Sequence, residues 1–206
     1  MSNESINLAV IYYSVTGTNY QMAEWAAESG RQAGAEVRIL KTPELATEDA
    51  IQANPIWRTH VAATTHIPEV TYKDLEWADA IVFSIPSRFG GMPGPVKQFL
   101  DSTGALWFNG KLVNKVVSGM TSAQNAHGGQ EQTILSLYTS MYHWGAIVAA
   151  PGYSSPVTFE AGGNPYGTSV TVQSGKMVED IKAAVEYQAK RTVNVAQWVK
   201  LGLAQE

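Results

Sequence analysis

Five short apolar runs punctuate the chain: "INLAVIYY" (6–13), "AEVRIL" (35–40), "DAIVFSIP" (79–86), "KVVSGM" (115–120) and "GAIVAAPGY" (145–153). Each is rich in Val, Ile or Ala and apolar on consecutive positions, and turn residues bound it. That pattern predicts strands buried on both faces of a sheet, not the alternation of a half-exposed strand. Helix-like stretches separate the runs, at 20–34, 71–77, 94–103, 130–144 and about 177–199. Strands alternating with helices predict a parallel sheet with helices on both faces, an α/β three-layer sandwich of five strands and five helices. In open sheets of this kind ligands bind outside the carboxyl ends of the strands, where strand order reverses. The loops after strands one, three and four are therefore the places to look for chemistry.

Two stretches do not fit the alternation. Residues 41–70 hold three prolines and no firm periodicity over about thirty residues, more than a compact connection needs. Residues 152–175 form a second long segment rich in Gly and Pro, between strand five and the last helix. Both read as insertions that cover a site or meet another subunit. With 206 residues, 45% of them hydrophobic and only 16% charged, the chain reads as one globular domain, 1–206, with a sizeable core.

Charge and composition narrow the chemistry. The net charge is −4 and no basic run interleaves with aromatics, so nucleic acid is not an expected partner. No apolar stretch is long enough for a membrane span, and the first ten residues lack the charged and apolar regions of a leader; a soluble, cytoplasmic protein is expected. There is no cysteine, which removes disulfides, thiolate catalysis and Cys-ligated metals. The four His residues show no metal-ligand spacing, and no metal site is expected.

The first loop, "SVTGTN" (14–19), joins strand one to a helix. Free amides and the positive end of a helix dipole favour an anion there. Ser14, Thr16, Thr18 and Asn19 offer neutral donors around Val15, and Gly17 lets the backbone come close. No Lys or Arg stands in the loop, and neither GxxxxGK[ST] nor GxGxxG is present, so a P-loop and the dinucleotide fingerprint are both excluded. A polar turn capped by Thr or Asn would use the same residues. The second loop, "PSRFGGMPG" (86–94), stiffens with Pro86 and Pro93, opens with Gly90 and Gly91, and presents Ser87, Arg88 and Phe89, which suit a flat, electron-rich heterocycle. The third, "TSAQNAHGGQE" (121–131), carries Thr121, Ser122, Ala123, Gln124, Asn125 and His127, with glycines before a helix. By itself the second loop is also accounted for by a turn whose Phe89 packs in the core and whose Arg88 pairs at the surface, and the third by a His127 that caps a helix or sits at the surface.

Taken together, the loops resemble the flavodoxin-like fold, whose first loop follows [ST]-x-T-G-x-T, matched here at Ser14, Thr16, Gly17 and Thr18. "PSRFGGMPGPVKQFLDSTGALW" (86–107), "HGGQEQT" (127–133) and "GGNPYG" (162–167), in that order and across most of the chain, resemble the WrbA family of NAD(P)H:quinone oxidoreductases. The family pattern often has Tyr where Thr16 stands, and 41–70 does not match it. The resemblance implies strand order 2-1-3-4-5, FMN as cofactor, and a phosphate site at residues 14–19. It also places the flavin ring against residues 86–90 and 121–127. Over the ring the family has an aromatic cage, matched by Phe89, Trp107, His143 and Tyr153, with Trp107, His143 and Tyr153 in the catalytic role and His143 also touching the cofactor. The implied activity is two-electron, ping-pong hydride transfer from NAD(P)H through FMN to quinones, in a homodimer or homotetramer. A flavodoxin-type single-electron carrier is the alternative. A phosphoacceptor module lacks its acidic residues, since "YYSV" and "IPSR" stand where they belong, and no GxSxG elbow supports a Ser hydrolase.

Overall fold

A computed structural model describes residues 5–205; part of the N-terminal stretch read for a leader, residues 1–4, lies outside them. The strands are β1 (Asn7–Tyr12), β2 (Glu36–Lys41), β3 (Ala80–Pro86), β4 (Val116–Ala123), β5 (Ile147–Val148), β6 (Ser169–Gln173) and β7 (Lys176–Met177). The helices are α1 (Thr18–Gln32), α2 (Glu48–Gln52), α3 (Pro55–Ala63), α4 (Tyr72–Trp77), α5 (Gly94–Asp101), α6 (Gly104–Phe108), α7 (Gln130–Trp144), α8 (Pro156–Glu160) and α9 (Lys182–Leu203). The sheet runs β2-β1-β3-β4-β6-β7, with β5 also paired to β4.

The consecutive apolar positions are explained by two cores, one on each face of the sheet. Along β1 and the residue after it, Leu8, Val10 and Tyr12 enter the core that α1 and α9 cover, while Ala9, Ile11 and Tyr13 enter the one with α5 and α7. Along β3, Ala80 and Val82 face the first core and Ile81, Phe83 and Ile85 the second. Full burial of a side chain such as Phe83 contributes roughly 1.5–3 kcal/mol, so these central strands carry much of the fold's stability.

The expectation of five strands in order 2-1-3-4-5 needs correction, because the fifth strand is split. Ile147–Val148 pair with Val116–Val117 at the start of β4. The chain then leaves the sheet and returns at Ser169, where β6 pairs in parallel with Thr121–Ala123 at the end of β4. Between the two halves, side chains replace a strand. Tyr138 Oη accepts from Gly119 N at 3.0 Å, and Gln188 Nε2 donates to Gly119 O at 2.8 Å. The sheet is also not wholly parallel: β7 folds back antiparallel on β6. The insertion expected at 152–175 is thus shorter, since its last residues form β6 and the turn after it.

The segment 41–70 is not shapeless. Thr47 caps α2 and Asn54 caps α3, accepting from Ile56 N at 3.1 Å and Trp57 N at 3.2 Å, with Pro55 in the first turn. These short helices were hidden by weak periodicity, although Asn-Pro is a helix-start signal. Among the described residues no helix is long and apolar enough to cross a membrane.

Candidate functional site

The carboxyl ends of β1, β3 and β4 open onto a cavity of about 1140 Å³. It is lined by Ser14, Val15, Thr16 and Asn19 from the first loop, by Pro86, Ser87, Arg88 and Phe89 from the second, and by Ser122, Ala123, Gln124 and Asn125 from the third. The structure brings these twelve expected residues together. Gly17 and Thr18 complete the first turn. Gly90 joins the second loop to the third, because a Cβ on Gly129 would stand 2.4 Å from the Gly90 Cα.

The first loop is built to leave donors free. Gly17, at φ 89, is the N-cap of α1 and no side chain caps the helix. Its own amide donates to Ser14 Oγ at 3.0 Å. Among the described residues no acceptor meets the amides of Val15, Thr16, Thr18, Asn19 or Tyr20. Five amides at the positive end of a 15-residue helix make an anion cradle. A polar turn capped by Thr or Asn is therefore not what the loop is.

Asn19 serves the cradle differently from the expectation. Its side chain is buried; Oδ1 accepts from Ser122 Oγ at 2.6 Å and Nδ2 donates to Ser84 Oγ at 3.3 Å, while Ser84 Oγ donates to Asn19 O at 2.8 Å. Its backbone amide remains unpaired among the described residues and is the part of it that joins the cradle. Between the later loops, Ser87 N donates to Ser122 O at 2.8 Å and Ser87 Oγ to Gly128 O at 2.6 Å. Arg88 and Gly91 exchange backbone bonds of 2.9 and 3.0 Å around a two-residue turn in which Phe89 has φ 52 and Gly90 φ 77. That left-handed turn throws the Phe89 ring wholly into solvent at the cavity mouth.

Other expected site residues stand elsewhere. Thr121 is fully buried in β4, its hydroxyl without a partner among the described residues, and does not line the cavity. His127 lines a separate polar cavity of about 540 Å³ with Gln130, Asn164 and Glu179. Trp107, His143 and Tyr153 do not line the large cavity of their own chain. His143 sits in the last turn of α7, roughly 20 Å along the helix from the Gly129 end at the site. Trp107 Nε1 donates to its carbonyl at 2.9 Å, and Tyr153 stacks on Phe159 with centroids 4.9 Å apart.

The cavity also has walls that the sequence reading did not assign. Asn54 and Ile56 reach it from the start of α3, and Val172, Gln173, Ser174 and Gly175 from the β6–β7 hairpin. Ser-Gly between two short apolar runs signals a two-residue hairpin turn, and both residues have positive φ, 49 and 78.

Residues 6–158 match the family described as NADPH-dependent FMN reductase. The NAD(P)H dehydrogenase (quinone) of Deinococcus radiodurans is 50% identical over 190 residues, 92% of this chain and 95% of the relative. The protein of that name from Geotalea daltonii is 36% identical over 199 residues, covering 93% and 97%. Among solved structures, the flavodoxin, WrbA-like protein from Agrobacterium tumefaciens superposes with a TM-score of 0.61 at 25% identity, covering 94% of this chain and 99% of that one. With a loop that leaves its amides free, a split flavodoxin-like sheet and relatives alike over nearly their whole length, the chain belongs to the FMN-reductase family, among its WrbA-type NAD(P)H dehydrogenases (quinone).

Proposed function

We propose that this protein is an FMN-dependent NAD(P)H:quinone oxidoreductase. The observation that carries the reading is the set of five unpaired amides at Val15, Thr16, Thr18, Asn19 and Tyr20, beside a cavity walled by Arg88 and Phe89. The residues fit a phosphorylated flavin: neutral donors for the phosphate, two glycine-opened loops for a flat ring, and one cation near it. FMN, when bound, supplies a ring that accepts a hydride equivalent from a nicotinamide and delivers two electrons to a quinone.

The chain's own part is binding and placement. Residues 14–19 hold the phosphate. Pro86 to Gly90 and Ser122 to Asn125, with Thr121 behind them, frame the ring, and Arg88 and the loop amides offset negative charge on its reduced form. Phe89 offers a face on which a flat substrate stacks. His143 and Tyr153 would orient or protonate a quinone oxygen and Trp107 would flank it. Since all three lie off the cavity of their own chain, the reading includes a homodimer or homotetramer in which they approach a neighbouring copy's site. Exposed Phe108, Tyr142 and Tyr153 favour such an assembly. A cytoplasmic location completes the proposal.

A flavodoxin-type carrier is the weaker reading. The likeness to flavodoxins is one of fold, with 15% identity to that of Megasphaera elsdenii, and the net charge of −4 is mild for a carrier's acidic face. The deciding experiment is reconstitution with FMN followed by an assay of NADH- and NADPH-dependent benzoquinone reduction. Turnover with either nicotinamide supports the oxidoreductase; FMN uptake without turnover would leave the carrier.

A further inference from the structure

The loop at the start of α1 has no basic residue, so a phosphomonoester seated there, with about −1.5 to −2 charge at pH 7, would meet peptide dipoles and hydroxyls of the loop but no counter-charge from it. The segment after β2 changes that balance. α3 lies across the loop. Asn54, its N-cap, lines the large cavity. His60 Nδ1 stands 3.7 Å from where a Cβ on Gly17 would be. Thr64, its C-cap, accepts from Lys41 Nζ through its carbonyl at 3.1 Å.

Residues three and four apart share one helix face, so Trp57 lies on the row between Asn54 and His60. Its indole Nε1–H is buried and finds no acceptor among the described residues. A buried donor left unmet inside the chain is what a ligand's oxygen would satisfy.

The surroundings of His60 set its charge. Its ring packs against Tyr12 of β1 at 6.4 Å and Tyr20 of α1 at 5.7 Å, and burial raises the pKa of both phenols, so they are neutral. Lys41 of β2 and the carboxylates Glu44 and Glu69 line with it a small cavity of about 170 Å³, and Glu24 of α1 lies beside Tyr20. Burial first, and Lys41 second, hold the imidazole below its usual range. A doubly charged anion at Gly17 would act in the opposite direction.

Resting on the flavin reading above, we propose that His60 is the cationic partner of the ligand's terminal phosphate, and that α3 is the second wall of the phosphate site, with the Trp57 N–H as a further donor. The imidazole then takes up a proton as the phosphate binds. The cradle's missing charge comes from a helix about 40 residues later in the chain, in the segment that the family pattern leaves unmatched.

FMN and riboflavin differ by the phosphate alone, which separates the two questions. Their affinities for the apoprotein are measured by flavin fluorescence quenching at pH 6 and pH 8, for wild type, His60→Gln and Trp57→Phe. In parallel the His60 ring of the wild-type protein, identified by its nuclear Overhauser contacts to Tyr12 and Tyr20, is titrated by NMR with and without each flavin. The expected result is a rise in the His60 pKa of about one unit with FMN and none with riboflavin. Correspondingly, His60→Gln should bind FMN several-fold more weakly at pH 6 while riboflavin binding holds, and Trp57→Phe should show a smaller loss of the same kind. An unmoved His60 signal in protein saturated with FMN would overturn this assignment alone. Failure of the wild-type protein to bind either flavin would overturn the cofactor reading and this one with it.

Discussion

Ser122 Oγ donates to Asn19 Oδ1 at 2.6 Å, joining the end of β4 to the first turn of α1 across 103 positions of sequence. Asn19 is 1% exposed and Ser122 6%, so water does not replace this bond. Replacing Ser122 with Ala strands a buried amide oxygen, and urea unfolding should show a loss of about 1–3 kcal/mol. The same variant should bind FMN more weakly, because the bond holds the phosphate loop and the ring loop in one frame. Lost affinity with unchanged stability would mean that the hydroxyl meets the ligand instead.

Phe89 tests whether strain is kept for use. A non-glycine residue at φ 52 with a fully exposed aromatic ring has little structural reason to be there. Asn adopts the left-handed region more easily, so Phe89→Asn should stabilise the apoprotein by about 1 kcal/mol, raising Tm by about 2–4 °C. Loss of ring stacking should at the same time lower kcat/KM for a quinone by about tenfold. A variant that is more stable and fully active would show that the ring is idle.

Two glycines of similar backbone conformation should respond differently. Gly17 and Gly129 have φ 89 and 75, but the nearest atom to a Cβ on Gly17 is His60 Nδ1 at 3.7 Å, an ordinary contact. On Gly129 it is the Gly90 backbone at 2.4 Å. Gly17→Ala should cost about 1–2 kcal/mol in left-handed strain. Gly129→Ala adds overpacking for a total of about 2–5 kcal/mol and separates the second and third loops. Equal losses in urea would contradict the closeness of those loops.

Much of the central fold is readable from β1, β3 and β4, because strands buried on both faces need apolar residues at nearly every position. The cradle's polar residues were legible in part, since a strand-to-helix join crowded with small hydroxyl residues stands out; that neither Thr18 nor Asn19 caps the helix was not, and only the fold shows it. The split of the fifth strand was not legible. It depends on Tyr138 and Gln188, which satisfy the Gly119 backbone from two different helices, and on Gly167, where a Cβ would come within 1.9 Å of Gly119 O. "GGNPYG" thus has a packing role that its letters do not reveal: Tyr166 O accepts from the Tyr138 hydroxyl at 2.6 Å. The contribution of α3 to the site was equally hidden, because a short amphipathic helix gives little periodicity and its target, Gly17, lies far away in sequence.

His60 also makes a prediction for the protein without ligand. Its pKa in the folded apoprotein is held below the unfolded value of about 6.5 by burial and then by Lys41. Between those two values the unfolded chain binds the extra proton and the folded one does not, so stability rises with pH there and levels off above about 6.5. Acidification from pH 7 should therefore lower the apoprotein's urea midpoint once the pH passes below about 6.5, levelling only beneath the folded value. His60→Gln removes this titration and should flatten that part of the profile, leaving the carboxylate-driven loss at lower pH. With saturating FMN, whose phosphate favours the imidazolium, the slope assigned to His60 should shrink or reverse. A midpoint profile that is the same for wild type and His60→Gln between pH 7 and pH 5 would show that the imidazole is already solvated and cannot answer to the charge beside it.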